Sequence, residues 1–242
     1  MDIRVINLDR ALDRKQSVET QFRQFGLEWT FVSAVDGENH DLSAFERFLK
    51  VNPLLLRPLL PGEIGCFASH YRLWQECVAT QKPLLIIEDD CILQDGILDV
   101  IAELPGLLGS YPYIRLAGHI RRRHSLLRKL PDGRSLVRLG KGPHGTVAYA
   151  IAPEAAERLI RHATVWNWPV DNYIDTFWLH GIRPIAIHPY PVRPGPFPSM
   201  VASRRAVRQG QRRFVRSSRA LYRHTHTVRR WLYKLTPAWQ RP

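Results

Sequence analysis

Apolar and polar positions follow two rhythms along this chain, one of short solid runs and one of spaced stripes. "IRVINL" (3–8) is an apolar run suited to a buried first strand. After it, Leu12, Val18, Phe22 and Phe25 fall at roughly helical spacing until Gly26 supplies a stop. "EWTFVSAV" (28–35) predicts a second strand closed by Asp36-Gly37, which completes a β-α-β opening. Beyond an apolar, Pro-punctuated stretch, "LLPGEIGCFASHYRLWQECVAT" (59–80) starts at a Pro-Gly turn and continues as a long helix. A buried strand is predicted at 84–88, and further strands at "YIRLAG" (113–118), "GTVAYAIA" (145–152) and "RPIAIHPYPV" (183–192). Helices are predicted at 153–163, with Pro153 in the first turn, and at 169–181, ending at Gly181. The basic segment around Pro131-Asp132-Gly133 reads as a long loop or irregular hairpin. Strands alternating with helices predict an α/β fold with a mostly parallel central sheet, in which ligands gather at the carboxyl ends of the strands.

One run stands apart. "LLIIEDDCIL" (84–93) passes from four aliphatic residues directly into three acids. If strand geometry persists to its end, Glu88 and Asp90 point one way and Asp89 the other. Two like charges converging on one point are costly unless protons or a cation neutralise them, and oxygen ligation with open positions suits Mg²⁺ or Mn²⁺ carrying phosphate oxygens. The competing reading is that Asp90 caps a helix while the other two acids face water.

The three cysteines, Cys66, Cys77 and Cys91, form no CxxC pair and leave an odd count, which argues against a disulfide framework or a zinc site. They are expected to be reduced and mostly buried. No 7–15-residue apolar core marks the N-terminus and no spanning run follows, so a cytoplasmic location is expected. At 242 residues and 45% apolar composition the chain can bury a sizeable core.

The net charge of +13 changes the picture once it is located. Residues 203–242 hold eleven Arg, one Lys and no acid, which leaves twenty-three basic against twenty-two acidic residues in 1–202. The body is nearly neutral, and any partner implied by basicity belongs to the tail. There Val207, Phe214, Leu221, Val228 and Leu235 recur every seventh residue, with Val215, Tyr222 and Leu232 beside them, Arg on the other faces and Gly210 as a weak interruption. This predicts a basic amphipathic C-terminal helical tail (203–242) following a body of 1–202, with the Pro-rich "RPGPFPSM" (193–200) between them unsuited to a central strand. Such a helix suits an anionic membrane surface. Nucleic acid is the rival partner, since Tyr222, Trp231, Tyr233 and Trp239 can stack on bases as well as sit at a lipid interface; the apolar stripe favours the membrane.

The blocks "VINLDRALDR", "AVDGE", "PGEIGCFASHYRLW", "LLIIEDD", "GTVAYAIAPEAAERLI" and "PVDNYID" together resemble glycosyltransferase family 25, the lipooligosaccharide galactosyltransferases and their relatives, over roughly residues 2–205. The resemblance implies a GT-A-like nucleotide-sugar-binding domain. It also implies a UDP-sugar donor, galactose favoured, and inverting transfer of a hexose to a hydroxyl of a lipooligosaccharide or related surface glycan. Glu88, Asp89 and Asp90 would then hold the divalent cation; His188 would either complete its coordination, as late histidines do in some GT-A-like enzymes, or be a solvent-facing or packed histidine, the commoner case. Asn7, Leu8, Arg10 and Arg14 of the opening unit would bind the donor, with Asp36 and Gly37 near the nucleotide. Glu63, Ser69 and His70 sit among bulky apolar residues and must find partners, either a ligand or an internal network. Gly145 and Thr146 begin a strand where backbone approaches a sugar closely. Inversion needs a general base, and Asp171 at the head of the 169–181 helix is the candidate, with Asp175 one turn later on the same face. An acid favoured near a helix N-terminus is the alternative for Asp171. The implied location is peripheral, on the inner face of the cytoplasmic membrane near a lipid-linked acceptor. The chain departs from the family pattern in its arginine-rich loop around 121–129 and in "HPYPVRPGPFPSMVASRR".

Overall fold

The computed structural model describes residues 1–49, 58–166, 168–197 and 213–240. Its elements are β1 (Asp2–Asn7), α1 (Leu12–Gln24), β2 (Thr30–Ser33), a 3-10 turn (Ser43–Phe48), α2 (Pro61–Thr80), β3 (Leu84–Glu88), β4 (Cys91–Leu93) and α3 (Ile97–Leu108). There follow β5 (Tyr113–Arg115), β6 (His124–Lys129), β7 (Ser135–Leu139), β8 (Ala148–Ile151), α4 (Pro153–His162), α5 (Val170–Ile174), α6 (Phe177–His180), β9 (Ile185–His188), β10 (Val192–Pro194), α7 (Arg213–Lys234) and α8 (Pro237–Gln240).

Eight strands form one sheet in the order β2-β1-β3-β8-β5-β9-β7-β6, and β4 pairs with β10 in a separate two-stranded ribbon. The sheet is mixed, which corrects the expectation of a mostly parallel one. β1 runs parallel to β2 and β3, and β5 parallel to β9, but β8 is antiparallel to both neighbours and β7 to β9 and β6. The cause lies between β5 and β8, where the chain makes the β6–β7 hairpin instead of a helical crossover. Without a helix to carry it back to the starting edge, the chain enters β8 from the opposite end.

Helices cover both faces, and β3 shows why its sequence is a solid apolar run. Leu84 and Ile86 pack into one core with Phe67, Trp74, Tyr149 and Trp166, while Leu85 and Ile87 pack into the other with Val18, Phe22, Val100 and Leu104. Val18 and Phe22 of α1 are buried as the spacing predicts, but Leu12, its first residue, is exposed.

The expected helix over 169–181 is two short ones. It breaks at Asp175-Thr176, where Asp175 turns inward to Arg115 and the Thr176 hydroxyl donates to the Tyr173 carbonyl at 2.5 Å. The expected strand over 183–192 is likewise divided between β9 and β10 around Pro189-Tyr190-Pro191. The stretch around Pro131 is a hairpin with a register shift between Leu126 and Arg128, turning through Gly133 at φ 83°.

At the C-terminus, α7 lies against the body. Tyr233 and Trp239 pack on Phe177, with ring centroids 5.7 and 5.0 Å away, and Lys234 Nζ and Arg138 Nη1 donate at 2.5 Å to the Gly140 and Trp239 carbonyls. The boundary expected at 202/203, with Val207 and Gly210, lies outside the described residues. Among those residues no helix is long and apolar enough to cross a membrane.

Candidate active site

The opening of α2 and the loop after β2 meet backbone to backbone. A Cβ on Gly37 would fall 1.7 Å from the Pro61 carbonyl oxygen, and one on Gly65 would fall 2.2 Å from the Val35 oxygen and 2.6 Å from the Gly37 nitrogen. Only two glycines permit this approach. Ser69, one turn further along α2, locks it: its Oγ accepts the Val35 N–H at 2.9 Å and donates to the Gly65 carbonyl at 2.8 Å. Glu63 accepts the Leu60 N–H at 2.9 Å, closing the first turn of the helix. Of the two readings open for Glu63 and Ser69, their bonds are those of an internal network. The loop itself is tied by an ion pair between Arg10 and Asp36, with Asn39 and the Glu38 N–H also bound to the Asp36 carboxylate.

This junction forms one wall of a cavity of about 170 Å³ whose floor is the acidic triplet. Leu8, Arg10, Arg14, Asp36, Gly37 and His70 all line it together with Glu88, Asp89 and Asp90. The side-chain alternation of β3 continues past its end. Glu88 turns to the α2 side, where His70 Nε2 stands 3.0 Å from Oε1 and Thr146 also donates to that oxygen. Asp89 turns to the α1 side, where Arg14 Nη1 donates to Oδ1 at 2.9 Å and Asn7 Nδ2 to Oδ2 at 2.8 Å. Asp90 differs from both: its Oδ1 is buried and has no partner among the described residues.

These surroundings set the charges. Burial pushes the Asp90 carboxyl up to about 7, the Glu88 charge beside it adding to the effect while Arg14 opposes it. Burial would raise Glu88 as well, but the bonds from His70 and Thr146 hold it below the usual carboxylate range. The Cys66 thiol is pushed well up by burial and by Glu88, Asp171, Asp90 and Glu63, in that order, so the acids converge around it. Cys66 Sγ, one His70 nitrogen and a Glu88 oxygen lie within 4.8 Å of one another. A raised thiol and an imidazole whose two nitrogens are both engaged make a poor ligand pair; the orphaned Asp90 oxygen beside Glu88 is a hard-oxygen site that fits Mg²⁺ or Mn²⁺.

His70 is held by a chain of bonds. Trp74 Nε1 donates to the Tyr149 hydroxyl at 2.9 Å, and that hydroxyl lies 2.9 Å from His70 Nδ1. On the other side, the ionised Glu88 carboxylate only accepts, so His70 Nε2 carries the proton of that bond. The imidazole thus aims Glu88 from a fully buried position.

Arg115, the last residue of β5, pairs with Asp175 at 2.6 Å and also donates to the Gly145 carbonyl. Asp175 is buried in this pair and accepts the His144 N–H at 3.0 Å, while a Cβ on Gly142 would overlap its carboxylate. Asp171, one turn earlier, is more exposed: its Oδ2 accepts the Gly145 N–H at 3.3 Å and stands 3.9 Å from His144 Nδ1. Gly145 adopts φ 75° with the His119 ring against it, so a glycine is required there.

A family model described as "Glycosyltransferase family 25 (LPS biosynthesis protein)" matches residues 1–174. The chain belongs to glycosyltransferase family 25. Among its relatives, a Glycosyltransferase 25 family member of Aedes aegypti is 30% identical over 71% of this chain and 30% of its own length. The Lipooligosaccharide biosynthesis protein lic2B of Haemophilus influenzae is 28% identical over 65% of this chain and 62% of its own. Procollagen galactosyltransferase 2 of Homo sapiens is 28% identical over 73% and 30%. The chain therefore spans about a third of the insect and vertebrate family 25 members.

The structure gathers Leu8, Arg10, Arg14, Asp36, Gly37, Ser69, His70 and the acidic triplet around one cavity, with Asn7 bonded to Asp89, Thr146 to Glu88 and Gly145 to Asp171, while Glu63 and Asp171 do not line it. His188 is not brought to the triplet. It ends β9 and lines a second cavity with Arg121 and Tyr190, because β9 lies beyond β8 and β5 from the acid-bearing β3. The sequence reading missed Arg115, Tyr149 and His119. Arg115 had a signal, a lone cation in the buried run "YIRLAG", where a charge needs a partner.

Proposed function

We propose that this family 25 chain is a divalent-cation-dependent hexosyltransferase with a GT-A-like site, moving galactose from a UDP-sugar to a hydroxyl of a lipooligosaccharide or related surface glycan with inversion. The observation that carries the reading is the Asp90 Oδ1, buried beside Glu88 on the cavity floor without a partner among the described residues. Glu88 and Asp90 would hold Mn²⁺ or Mg²⁺, and Asp89, its oxygens taken by Asn7 and Arg14, fixes the triplet to the first β-α unit. When bound there, a divalent cation supplies Lewis-acid neutralisation of the leaving diphosphate. Arg10 and Arg14 add positive charge on the donor side of the cavity. In the transfer step the acceptor oxygen bonds to the anomeric carbon as the bond from that carbon to the diphosphate oxygen breaks. The acceptor proton passes to the carboxylate of Asp171, which Gly145 and His144 orient.

The names of the relatives, a lipooligosaccharide biosynthesis protein and a procollagen galactosyltransferase, support hexosyl transfer and leave the acceptor open between them. Attachment to the inner face of the cytoplasmic membrane through α7 belongs to the same proposal, supported by the outward apolar face of that helix. The test is release of UDP on mixing with UDP-galactose, Mn²⁺ and a truncated lipooligosaccharide. Release that disappears on chelation and in Asp90→Asn supports the reading. Retention of most turnover in Asp90→Asn overturns the cation assignment, and cation binding without release from any UDP-sugar would make the chain a non-catalytic binding protein.

A further inference from the structure

His188 leads to a second site. With Arg121, Arg122, Tyr190, Gly118 and Leu139 it lines a cavity of about 180 Å³ that shares no lining residue with the one over the acidic triplet. We propose that this cavity binds an anionic group, a phosphate or carboxylate, carried by the acceptor; the acceptor assignment rests on the transferase reading above.

The argument is one of uncompensated charge. No carboxylate lines the cavity, and neither Arg121 nor Arg122 forms an ion pair with an acid among the described residues. The Arg122 Nε donates to the Gly142 carbonyl at 2.9 Å, which holds the guanidinium in the lining without using its terminal nitrogens. The His124 ring lies 4.7 Å from that of His188, adding a second imidazole. These groups repel one another: His188 is held below its ordinary range by burial, then by His124 and Arg121, and Lys141 nearby by burial, then by Arg122 and Arg230. Like charges gathered around a concave surface without a counter-ion are stabilised by an anion that enters it, and arginine's fork matches phosphate and carboxylate oxygens.

One wall is closed by tight packing against a glycine. A Cβ on Gly118 would fall 2.7 Å from both the Tyr190 hydroxyl and the Pro143 ring, so bare backbone closes this side. The next residue, His119, packs on Gly145, whose N–H is bound to Asp171. Through Gly118, His119 and Gly145 the cavity is linked to the group assigned as base, and it shares no lining residue with the donor floor; the acceptor assignment follows from that separation.

The test uses the full chain and inorganic phosphate, read by the histidine ring resonances. Phosphate should shift the His188 and His124 signals saturably, and Arg121→Gln should weaken the midpoint on the order of tenfold. Arg161→Gln, on the far surface of α4, should leave it unchanged, and the signal of buried His180 reports that each variant is folded. Saturating UDP with Mn²⁺ should leave the phosphate midpoint where it was. Absence of a His188 shift, or an unchanged midpoint in Arg121→Gln, overturns the site; displacement of phosphate by UDP overturns its assignment to the acceptor. None of these readouts needs turnover, so a chain that binds phosphate at His188 yet releases no UDP from any donor would sink the transferase reading and leave the anion site standing.

Discussion

Replacing Asp90 by asparagine removes a charge from a carboxyl that burial and Glu88 already oppose, whereas the same change at Asp89 strips one oxygen from a buried pair with Arg14. The two neighbours are therefore expected to separate function from stability. Asp90→Asn should keep or raise the midpoint of urea unfolding while turnover falls by about two orders of magnitude. Asp89→Asn should lose roughly 3 kcal/mol of stability, because Arg14 is left buried with half its compensation. Equal loss of stability in both variants would show that Asp90 too is a structural acid. His180 offers a second test at this scale. Its ring is fully enclosed, donating to the Ile174 carbonyl at 3.1 Å and accepting the Ile182 N–H at 3.2 Å, and burial pulls its pKa down to about 3. The unfolded chain takes up this proton near pH 6.5 and the folded one does not, so the contribution is complete above that pH and is lost as pH falls towards 3. Between pH 6.5 and 5 the loss amounts to roughly 2 kcal/mol. His180→Gln, which can both donate and accept, should unfold with a visibly shallower dependence on pH over that range; an identical dependence in the two proteins removes His180 from the account.

At the scale of elements, the site depends on the junction of the β2 loop with α2. Gly65→Ala should cost at least about 2 kcal/mol and disturb donor binding, since its Cβ meets backbone on the neighbouring loop and no flexible side chain can yield. A midpoint within experimental error of wild type would mean that the loop and helix part without cost. This junction also marks what the sequence makes legible. The blocks "AVDGE" and "PGEIGCFASHYRLW" announce a turn and a helix, but nothing in either says that Gly37 and Gly65 touch, because the contact is made by atoms that glycine lacks. Period and run length locate β1, α1, α2, β3, β8 and α4, each of which buries a face that imposes a pattern, and also β2, whose Phe31 and Val32 are half-buried. The missed elements had no such imprint. In α3 the interior pair Pro105-Gly106 reads as a turn although the helix continues through it, and β4 is three residues long. Strand direction was beyond the pattern altogether, since β8 has the same apolar alternation whichever way it runs. The acidic triplet was legible for the opposite reason: strand alternation is local, and it assigned Glu88 and Asp89 to opposite sides before any partner was known.

For the whole molecule, the question is what the C-terminal helix does once docked. Two of its faces are apolar. The face carrying His226 and Tyr233 meets the body through Trp178 and Phe177. The opposite face sets Val228, Trp231, Leu232 and Leu235 at i, i+3, i+4 and i+7, and these are 42%, 61%, 52% and 56% exposed. The heptad positions Val228 and Leu235 thus look outward, so among the described residues this part of the stripe is left uncovered by the body. An uncovered apolar stripe carried on a segment with twelve basic residues and no acid has the chemistry to complement an anionic bilayer, into which, on the proposed attachment, the aliphatic side chains and Trp231 would enter while arginines would meet the headgroups. The full chain should float with liposomes containing about 30% phosphatidylserine and not with neutral ones, each basic residue near the surface contributing about 1 kcal/mol. A Trp231→Ser/Leu235→Ser double variant keeps the charge and the docked face, so it should lose most of the flotation. If it floats undiminished, charge alone attracts the chain. If instead added RNA strips the wild-type chain from the liposomes and the same double variant still binds that RNA, the tail is a nucleic-acid arm and the outward stripe is not its contact.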